Sequence, residues 1–102
     1  MIRARFSSGR NGVAGFKISG HSGYADAGGD IVCAAVSSMT GLVIHIAADI
    51  YKDCGRVFQD EKSAAIEFFP EKTESAALVE GLYNQLSALA EEYPDYLSVE
   101  RK

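Results

Sequence analysis

Alternating hydrophobic and polar residues at the amino terminus predict a β-hairpin. Residues 2–6 place Ile, Ala and Phe around two arginines, the period-two pattern of a strand with one buried face. Residues 14–18 repeat the alternation with Ala, Phe and Ile. Between these segments, Asn11-Gly12 is typical of a tight hairpin turn, because both residue types tolerate positive φ. The chain is therefore expected to begin with two antiparallel strands.

Two longer segments have the hydrophobic pattern of helices. Residues 31–52 are apolar on most faces, so this helix is expected to pack centrally, with Asp30 as its N-cap. Cys54-Gly55 marks its expected end. A second helix is predicted near residues 74–93, where leucines recur at helical spacing until Pro94 stops the helix.

The remaining segments complete an α+β fold. Residues 57–59 and 64–68 predict two strands around a turn at 60–62, and residues 96–100 predict a last short strand. The order β-β-α-β-β-α-β favours a small, mostly antiparallel sheet with two helices. With 102 residues and neither a repeat nor a linker, the chain is expected to be a single domain over residues 1–102.

Charge is distributed unevenly along the chain. The net charge is −4, yet the first 20 residues contain four basic residues and no acidic one. The remainder contains all fourteen acidic residues against six basic ones, which favours a basic partner. A nucleic-acid-binding protein normally has a basic surface, so direct nucleic-acid binding is not expected. The basic stripe Arg3, Arg5 and Lys17 is interpreted as the solvated face of a strand.

The uncharged stretch at residues 31–48 and the two cysteines bear on where in the cell the protein is expected. Residues 31–48 lack formal charge over a length that can span a bilayer, but serine, threonine, glycine and histidine interrupt them and no basic flank orients them. We therefore expect a helix of the protein interior, no membrane association and no secretory signal. If Cys33 and Cys54 lie at opposite ends of one helix, roughly 30 Å separates them, too far for a disulfide. Two free thiols suit a reducing compartment.

The segment between the second strand and the first helix contains the candidate chemistry. Residues 20–37 read GHSGYADAGGDIVCAAVS, which places His21 at a strand exit and Cys33 in the expected first turn of a helix. A cysteine attacks a carbonyl group as its thiolate, which a helix N-terminus and a neighbouring imidazolium both favour. Asp26 and Asp30 oppose it as like charges, but a histidine cation in direct contact outweighs a more distant solvated carboxylate. The N–H groups of Val32 or Cys33 are candidate oxyanion donors.

Structural explanations stay open for each of these residues. A cysteine in an apolar helix is often a small buried hydrophobic residue, so spacing alone does not make Cys33 catalytic. Asp30 is interpreted as a helix cap that could also orient His21. Ser37 lies on the same helix face as Cys33 and either bonds near the thiol or bonds its own backbone. His45 and Cys54 are interpreted as structural.

Other chemistries fit the sequence less well. The glycine-rich loop lacks the phosphate-binding G-x-x-x-x-G-K-[ST] pattern, and its charged residues are acidic. A zinc site needs about four suitably spaced ligands, and the chain has no C-x-x-C pair. Neither a cofactor nor a metal ion is therefore expected.

The motif resembles that of a known protease family. Eleven residues separate His21 from Cys33, the string DIVCA occupies residues 30–34, and Ser37 follows, all similar to the signature of the Prp family of ribosomal-processing cysteine proteases. The preceding hairpin, the long helix and the residues EEY at 91–93 also resemble the family, so the likeness covers essentially the whole chain. The residue after the histidine is commonly alanine in the family and is Ser22 here, which leaves the His–Cys pair intact.

The resemblance implies a specific activity. Family members remove a short N-terminal extension from large-subunit ribosomal protein twenty-seven, are cytoplasmic and form homodimers. Their catalytic cysteine and histidine correspond to Cys33 and His21, and their aspartate corresponds to Asp30. The implied partner is a ribosomal protein precursor with a basic, apolar extension. The alternatives are a non-enzymatic ribosome-associated binding module, in which Cys33 is merely buried, and a phosphate-binding domain that uses the same helix start.

Overall fold

The fold combines one sheet with two helices. The computed structural model describes residues 1–10, 12–20, 27–60, 62 and 64–102, and the side chains of residues 27–30 lie outside that description. The elements, in chain order, are β1 (Ile2–Gly9), β2 (Gly12–Ser19), α1 (Ala27–His45) with a π-helical extension (Ile46–Ile50), β3 (Arg56–Asp60), β4 (Ala65–Phe69), α2 (Thr73–Glu92) and β5 (Leu97–Arg101). The predicted element order and α+β class are confirmed.

The sheet has five strands in the order β3-β4-β2-β1-β5. All neighbouring strands are antiparallel except β1 and β5, which are parallel. The register places Phe6 opposite Phe16 and Phe16 opposite Phe68, which aligns three aromatic rings across the sheet. Ring centroids lie 5.8 Å apart for Phe6 and Phe16 and 6.0 Å apart for Phe16 and Phe68. This buried aromatic row belongs to the centre of the core.

Both helices contribute to one core on one face of the sheet. The buried helical residues recur at helical spacing and form a single cluster with the inward residues of the strands: Val32, Val36, Val43, Ala47, Val79, Leu82 and Leu86. The prediction of a centrally packed first helix is wrong, because α1 covers the sheet with one face only. Its opposite face leaves Ile31 56% and Leu42 61% exposed. In a two-layer fold, a helix needs just one apolar face against the sheet.

The predicted bounds of the first helix are also wrong. The helix begins at Ala27, so Asp30 lies within it and is not its N-cap. Gly28 and Gly29 lower helix stability but do not break the first turn. At the other end the helical segment stops at Ile50, and the turn that follows has Lys52 at φ +55°, so Lys52 rather than Gly55 takes the left-handed position.

Residues Ile31–Ile50 are long and apolar enough to cross a membrane by length and composition alone. In the fold, buried residues of this segment pack in the core with the strands. The core helix of a globular protein passes the same test of length and composition.

A buried carboxylate joins the end of the α1 segment to the start of α2. Asp53 is 8% exposed and accepts hydrogen bonds from the N–H groups of Gly55 (2.7 Å), Glu71 (3.0 Å) and Lys72 (3.0 Å). Lys72, the N-cap residue of α2, makes no capping hydrogen bond with its side chain. Asp53, which precedes Lys72 by 19 residues in the sequence, instead accepts hydrogen bonds from the backbone N–H groups at this helix start. Burial raises the pKa of Asp53, but the Ser75 hydroxyl and these N–H groups lower it more, to about 2 from the ordinary 3.8.

Replacement of Asp53 by alanine is expected to cost about 2–4 kcal/mol of unfolding free energy, because it leaves buried N–H groups unpaired. The folded-state pKa lies below the unfolded value, so this stabilisation is present above about pH 4 and disappears as the pH falls toward 2. Urea unfolding at neutral pH measures the loss, and Asp53→Asn should flatten the acid dependence of stability. Asp49→Ala, at an exposed position nearby, is the matched control and should change stability little. Equal losses in both alanine variants would contradict the capping role.

Candidate active site

A cavity of about 440 Å³ opens beside α1 at one end of the sheet. Its walls come from α1, from the end of β2, from the start of β1, and from the end of β3 and the start of β4 with the turn between them. The lining residues are Ile2, Ile18, Gly20, Cys33, Val36, Ser37, Thr40, Gly41, Gln59, Asp60, Ala64, Ala65 and Ile66. The candidate nucleophile, Cys33, thus lines a concave surface to which four strands also contribute residues.

Three polar side chains of α1 lie along this cavity at helical spacing. Cys33, Ser37 and Thr40 follow the i, i+4, i+7 pattern of one helix face, and all three line the cavity. Cys33 is half-buried, Ser37 is exposed and Thr40 is 4% exposed. The predicted shared face of Cys33 and Ser37 is confirmed.

Thr40 was not singled out by the sequence. Its hydroxyl oxygen is buried and has no hydrogen-bond partner among the described residues. Spacing from Cys33 could have identified this position, but spacing does not reveal that the hydroxyl lacks a partner. An unpaired buried hydroxyl costs about 1–3 kcal/mol, and among the described residues the Thr40 hydroxyl has no partner that offsets this cost.

Gly20 positions the chain at the point where His21 follows. Gly20 lines the same cavity as Cys33, and it adopts φ +95°, a conformation that side chains other than glycine rarely adopt. A Cβ atom at this position would lie 2.5 Å from the carbonyl oxygen of Met1. His21 itself, together with Asp26, lies outside the described residues, as does the side chain of Asp30. The residue directly before His21 therefore lies in the wall of the cavity that contains Cys33.

Cys33 lies further from the start of α1 than the sequence predicts. Because α1 begins at Ala27, Cys33 is its seventh residue and lies in the second turn, not the first. The partial positive charge of a helix N-terminus falls off within the first turn, so Cys33 lies beyond the part of α1 where that charge is concentrated. The N–H groups of Val32 and Cys33 belong to the interior of the helix and donate within it. In an α-helix, the N–H groups that lack a partner inside the helix are those of the first turn, which here is Ala27–Asp30.

The second cysteine and second histidine lie elsewhere. Cys54 is exposed beyond the helical segment, where its thiol lies 3.9 Å from the carbonyl oxygen of Lys52. Both cysteines are free, which confirms the expectation of no disulfide between them. His45 is exposed at the end of α1 and is not among the residues that line the cavity. Of the two thiols, only Cys33 adjoins the cavity.

Charged groups of both signs lie on neighbouring strands at the open face of the sheet. Arg5 lies 3.3 Å from Glu100 in an exposed ion pair, and Lys17 lies opposite Glu67 in the register of β2 and β4. This mixture of signs fits the interpretation of the basic stripe as a solvated strand face. Among the described residues, no three His, Cys, Asp or Glu side chains gather into a group that could hold a metal ion.

A family model decides the assignment. The model described as cysteine protease Prp matches residues 1–98. The chain belongs to the Prp cysteine protease family. It is accordingly a peptide bond hydrolase, and the alternatives of a non-enzymatic binding module and a phosphate-binding domain are set aside.

Solved structures share the fold of this Prp family member. The ribosomal processing protease Prp from S. aureus, solved with a covalently linked product peptide, superposes with a TM-score of 0.87 at 19% identity, covering 100% of both chains. The same protease solved with a substrate peptide gives 0.88 at 19% identity, again over 100% of both chains. A protein from Streptococcus mutans gives 0.85 at 22% identity, covering 99% of this chain and 93% of that one. A search of curated proteins gave no match.

Proposed function

We propose that this chain is a cytoplasmic ribosomal-processing protease that removes the N-terminal extension of large-subunit ribosomal protein twenty-seven. The observation that carries the proposal is the match of residues 1–98 to the Prp family, combined with the location of Cys33 in the cavity. The S. aureus relative is a ribosomal processing protease, and its structures contain substrate and product peptides. Acidic residues outnumber basic ones fourteen to six after residue 20, which suits a basic precursor.

The proposed mechanism uses Cys33 as nucleophile and His21 as base. His21 accepts the thiol proton, and the Cys33 sulfur attacks the carbonyl carbon of the scissile peptide bond. The C–N bond then breaks as His21 returns the proton to the leaving amine. Water hydrolyses the resulting thioester, which releases the carboxylate product and restores the thiol. Ser37 lies one helical turn after Cys33 in the same cavity and is a supporting residue, and Asp30 is proposed to orient His21.

Cleavage of a junction peptide tests the proposal. The substrate is a synthetic peptide that spans the extension and the first residues of mature ribosomal protein twenty-seven from the same genome. Under reducing conditions, mass spectrometry should show cleavage at a single peptide bond. A scrambled peptide of identical composition is the control. Failure to cut the junction peptide while cutting the scrambled one would contradict the assigned substrate.

The outer face of α1 supports the further proposal of a homodimer. This face consists of the exposed residues Ile31, Ala34, Ser38, Leu42 and His45. It presents two large apolar side chains, and residues 31–48 contain no Asp, Glu, Lys or Arg. Exposed apolar area of this kind is typical of protein interaction surfaces.

Leu42→Glu is expected to convert the dimer into a monomer at micromolar concentration, because each subunit would bury an unpaired charge against the other. Sedimentation velocity measures the change. Phe58→Glu, at a position 51% exposed on β3, is the matched control and should remain dimeric. A wild-type protein that sediments only as a monomer, or a dimeric Leu42→Glu, would rule out this interface.

A further inference from the structure

Strand β3 presents an uncovered edge of the sheet. Within the part of the chain that the structure describes, it pairs only with β4, and all five of its residues are exposed. Alternate residues of an edge strand direct their N–H and C=O groups away from the sheet, where they can pair with another extended chain. At the opposite edge, β5 is mostly half-buried, and its Arg101 forms a 3.0 Å ion pair with Glu80 of α2. The two edges therefore differ in how accessible their backbone is.

The exposed edge leads directly into the cavity that contains Cys33. Gln59 and Asp60, the last two residues of β3, line that cavity. Gln59 lies opposite Ile66 and Val57 lies opposite Phe68, so both belong to the face of the sheet that the helices cover. An extended chain paired with β3 would therefore run along this edge and arrive beside Cys33.

The side chains of β3 suit a partly apolar peptide. Val57 is 44% exposed and Phe58 is 51% exposed, and they lie on opposite faces of the strand. A paired peptide directs alternate side chains to the same two faces. Each exposed residue of β3 could thus contact one set of peptide side chains, while the backbone supplies pairing that is independent of sequence.

We infer that the substrate binds as an additional antiparallel or parallel strand along β3, with its scissile bond delivered to Cys33. The inference rests on the proposed protease function and specifies how the peptide is held. Five residues at about 3.4 Å each give an edge of roughly 17 Å, enough to pair with about five substrate residues. Substrate is a better occupant than a second copy of the chain, because a copy paired here would occupy the edge that leads to the nucleophile.

Backbone pairing is tested with ester substitutions in the peptide. The junction peptide is synthesised as a series in which one amide N–H at a time is replaced by an ester oxygen, and binding is measured to Cys33→Ala, which cannot cut it. Esters at alternate positions should weaken binding by about three- to tenfold, the usual net value of one hydrogen bond, and esters between them should have little effect. A uniform effect, or none, would overturn the inference.

Proline variants test the same edge from the protein side. Val57→Pro and Phe58→Pro each remove one N–H group, and because neighbouring residues point to opposite sides, one of the two groups faces away from β4. The variant of this pair that keeps its melting temperature should lose peptide binding by at least about threefold. The matched pair on the other edge, Val99→Pro and Glu100→Pro, should contain a stable variant with unchanged binding.

The outcomes distinguish this inference from the proposed function. If wild type binds the peptide but never cuts it, the protease assignment fails while the alternating ester pattern still supports strand pairing. If wild type cuts the peptide and the stable β3 variant binds normally, strand pairing is wrong and the protease assignment stands. Equal losses in the β3 and β5 variants, or a β3 variant altered only in its oligomeric state, also overturn the inference. Absence of peptide binding to Cys33→Ala overturns it as well.

Discussion

Replacement of Cys33 by serine is expected to abolish cleavage of the junction peptide, with kcat/KM reduced by at least about a thousandfold. Serine keeps the size and polarity of the side chain, but its hydroxyl is a far weaker nucleophile than a thiolate at neutral pH. Cys33 is the one of the two thiols that lines the cavity, so the loss should follow this position specifically. Steady-state cleavage assays measure it, with circular dichroism to verify that the variant is folded.

Cys54→Ser is the matched control for that experiment. Cys54 is exposed, and the carbonyl group of Lys52 is its one hydrogen-bond acceptor among the described residues, at 3.9 Å. The variant should retain most of the wild-type activity. Equal loss of rate in the two serine variants would show that the thiols matter for a reason other than nucleophilic attack.

Replacement of His21 by alanine is expected to lower kcat/KM by at least about a hundredfold, the lower range for loss of a general acid–base group. The wild-type pH profile should show two limbs that belong to the coupled Cys33 and His21 pair. This prediction is based on position, because Gly20, which directly precedes His21, lines the cavity that also contains Cys33. In His21→Ala the limb that depends on the imidazole should disappear.

The chain offers a natural control for the histidine. Its other histidine, His45, is exposed at the end of α1 and is not among the cavity residues. His45→Ala should cut the peptide at close to the wild-type rate. A nearly normal rate in His21→Ala, or an equal loss in His45→Ala, would refute the proposed Cys–His pair.

Local patterns were sufficient to predict the elements of this fold. Alternation in residues 2–6 and 14–18 identified the β1–β2 hairpin, because side chains of a strand point to its two faces in turn. Of the predicted turn residues, Gly12 pairs with Gly9 as the first residue of β2, and Asn11 lies outside the described residues. Pro94 and the leucine spacing located the end of α2 to within one residue. The start of α1 was predicted four residues too late, because Asp30 is an ideal cap by residue type, and the glycine pair before it argued against a helix.

Features that depend on distant residues could not be read from local patterns. Asp53 satisfies N–H groups 18 and 19 residues away at the start of α2, and no spacing rule links those positions. The sheet order that leaves β3 at the edge and puts Gln59 and Asp60 beside Cys33 is equally non-local. The single exposed face of α1 follows from the two-layer packing, whereas its apolar residues on most faces suggested a central position.

The most direct test of the central claim compares the alkylation rates of the two cysteines within one molecule. Iodoacetamide is applied near pH 7, and peptide mass spectrometry follows Cys33 and Cys54 separately. If both were ordinary thiols, the exposed Cys54 would react faster than the half-buried Cys33. Because an ion pair with His21 would maintain the thiolate, we predict that Cys33 reacts at least about ten times faster than Cys54. In His21→Ala, the alkylation rate of Cys33 should no longer exceed that of Cys54. A wild-type protein in which Cys54 reacts as fast as Cys33 or faster would contradict the assignment of Cys33 as the nucleophile.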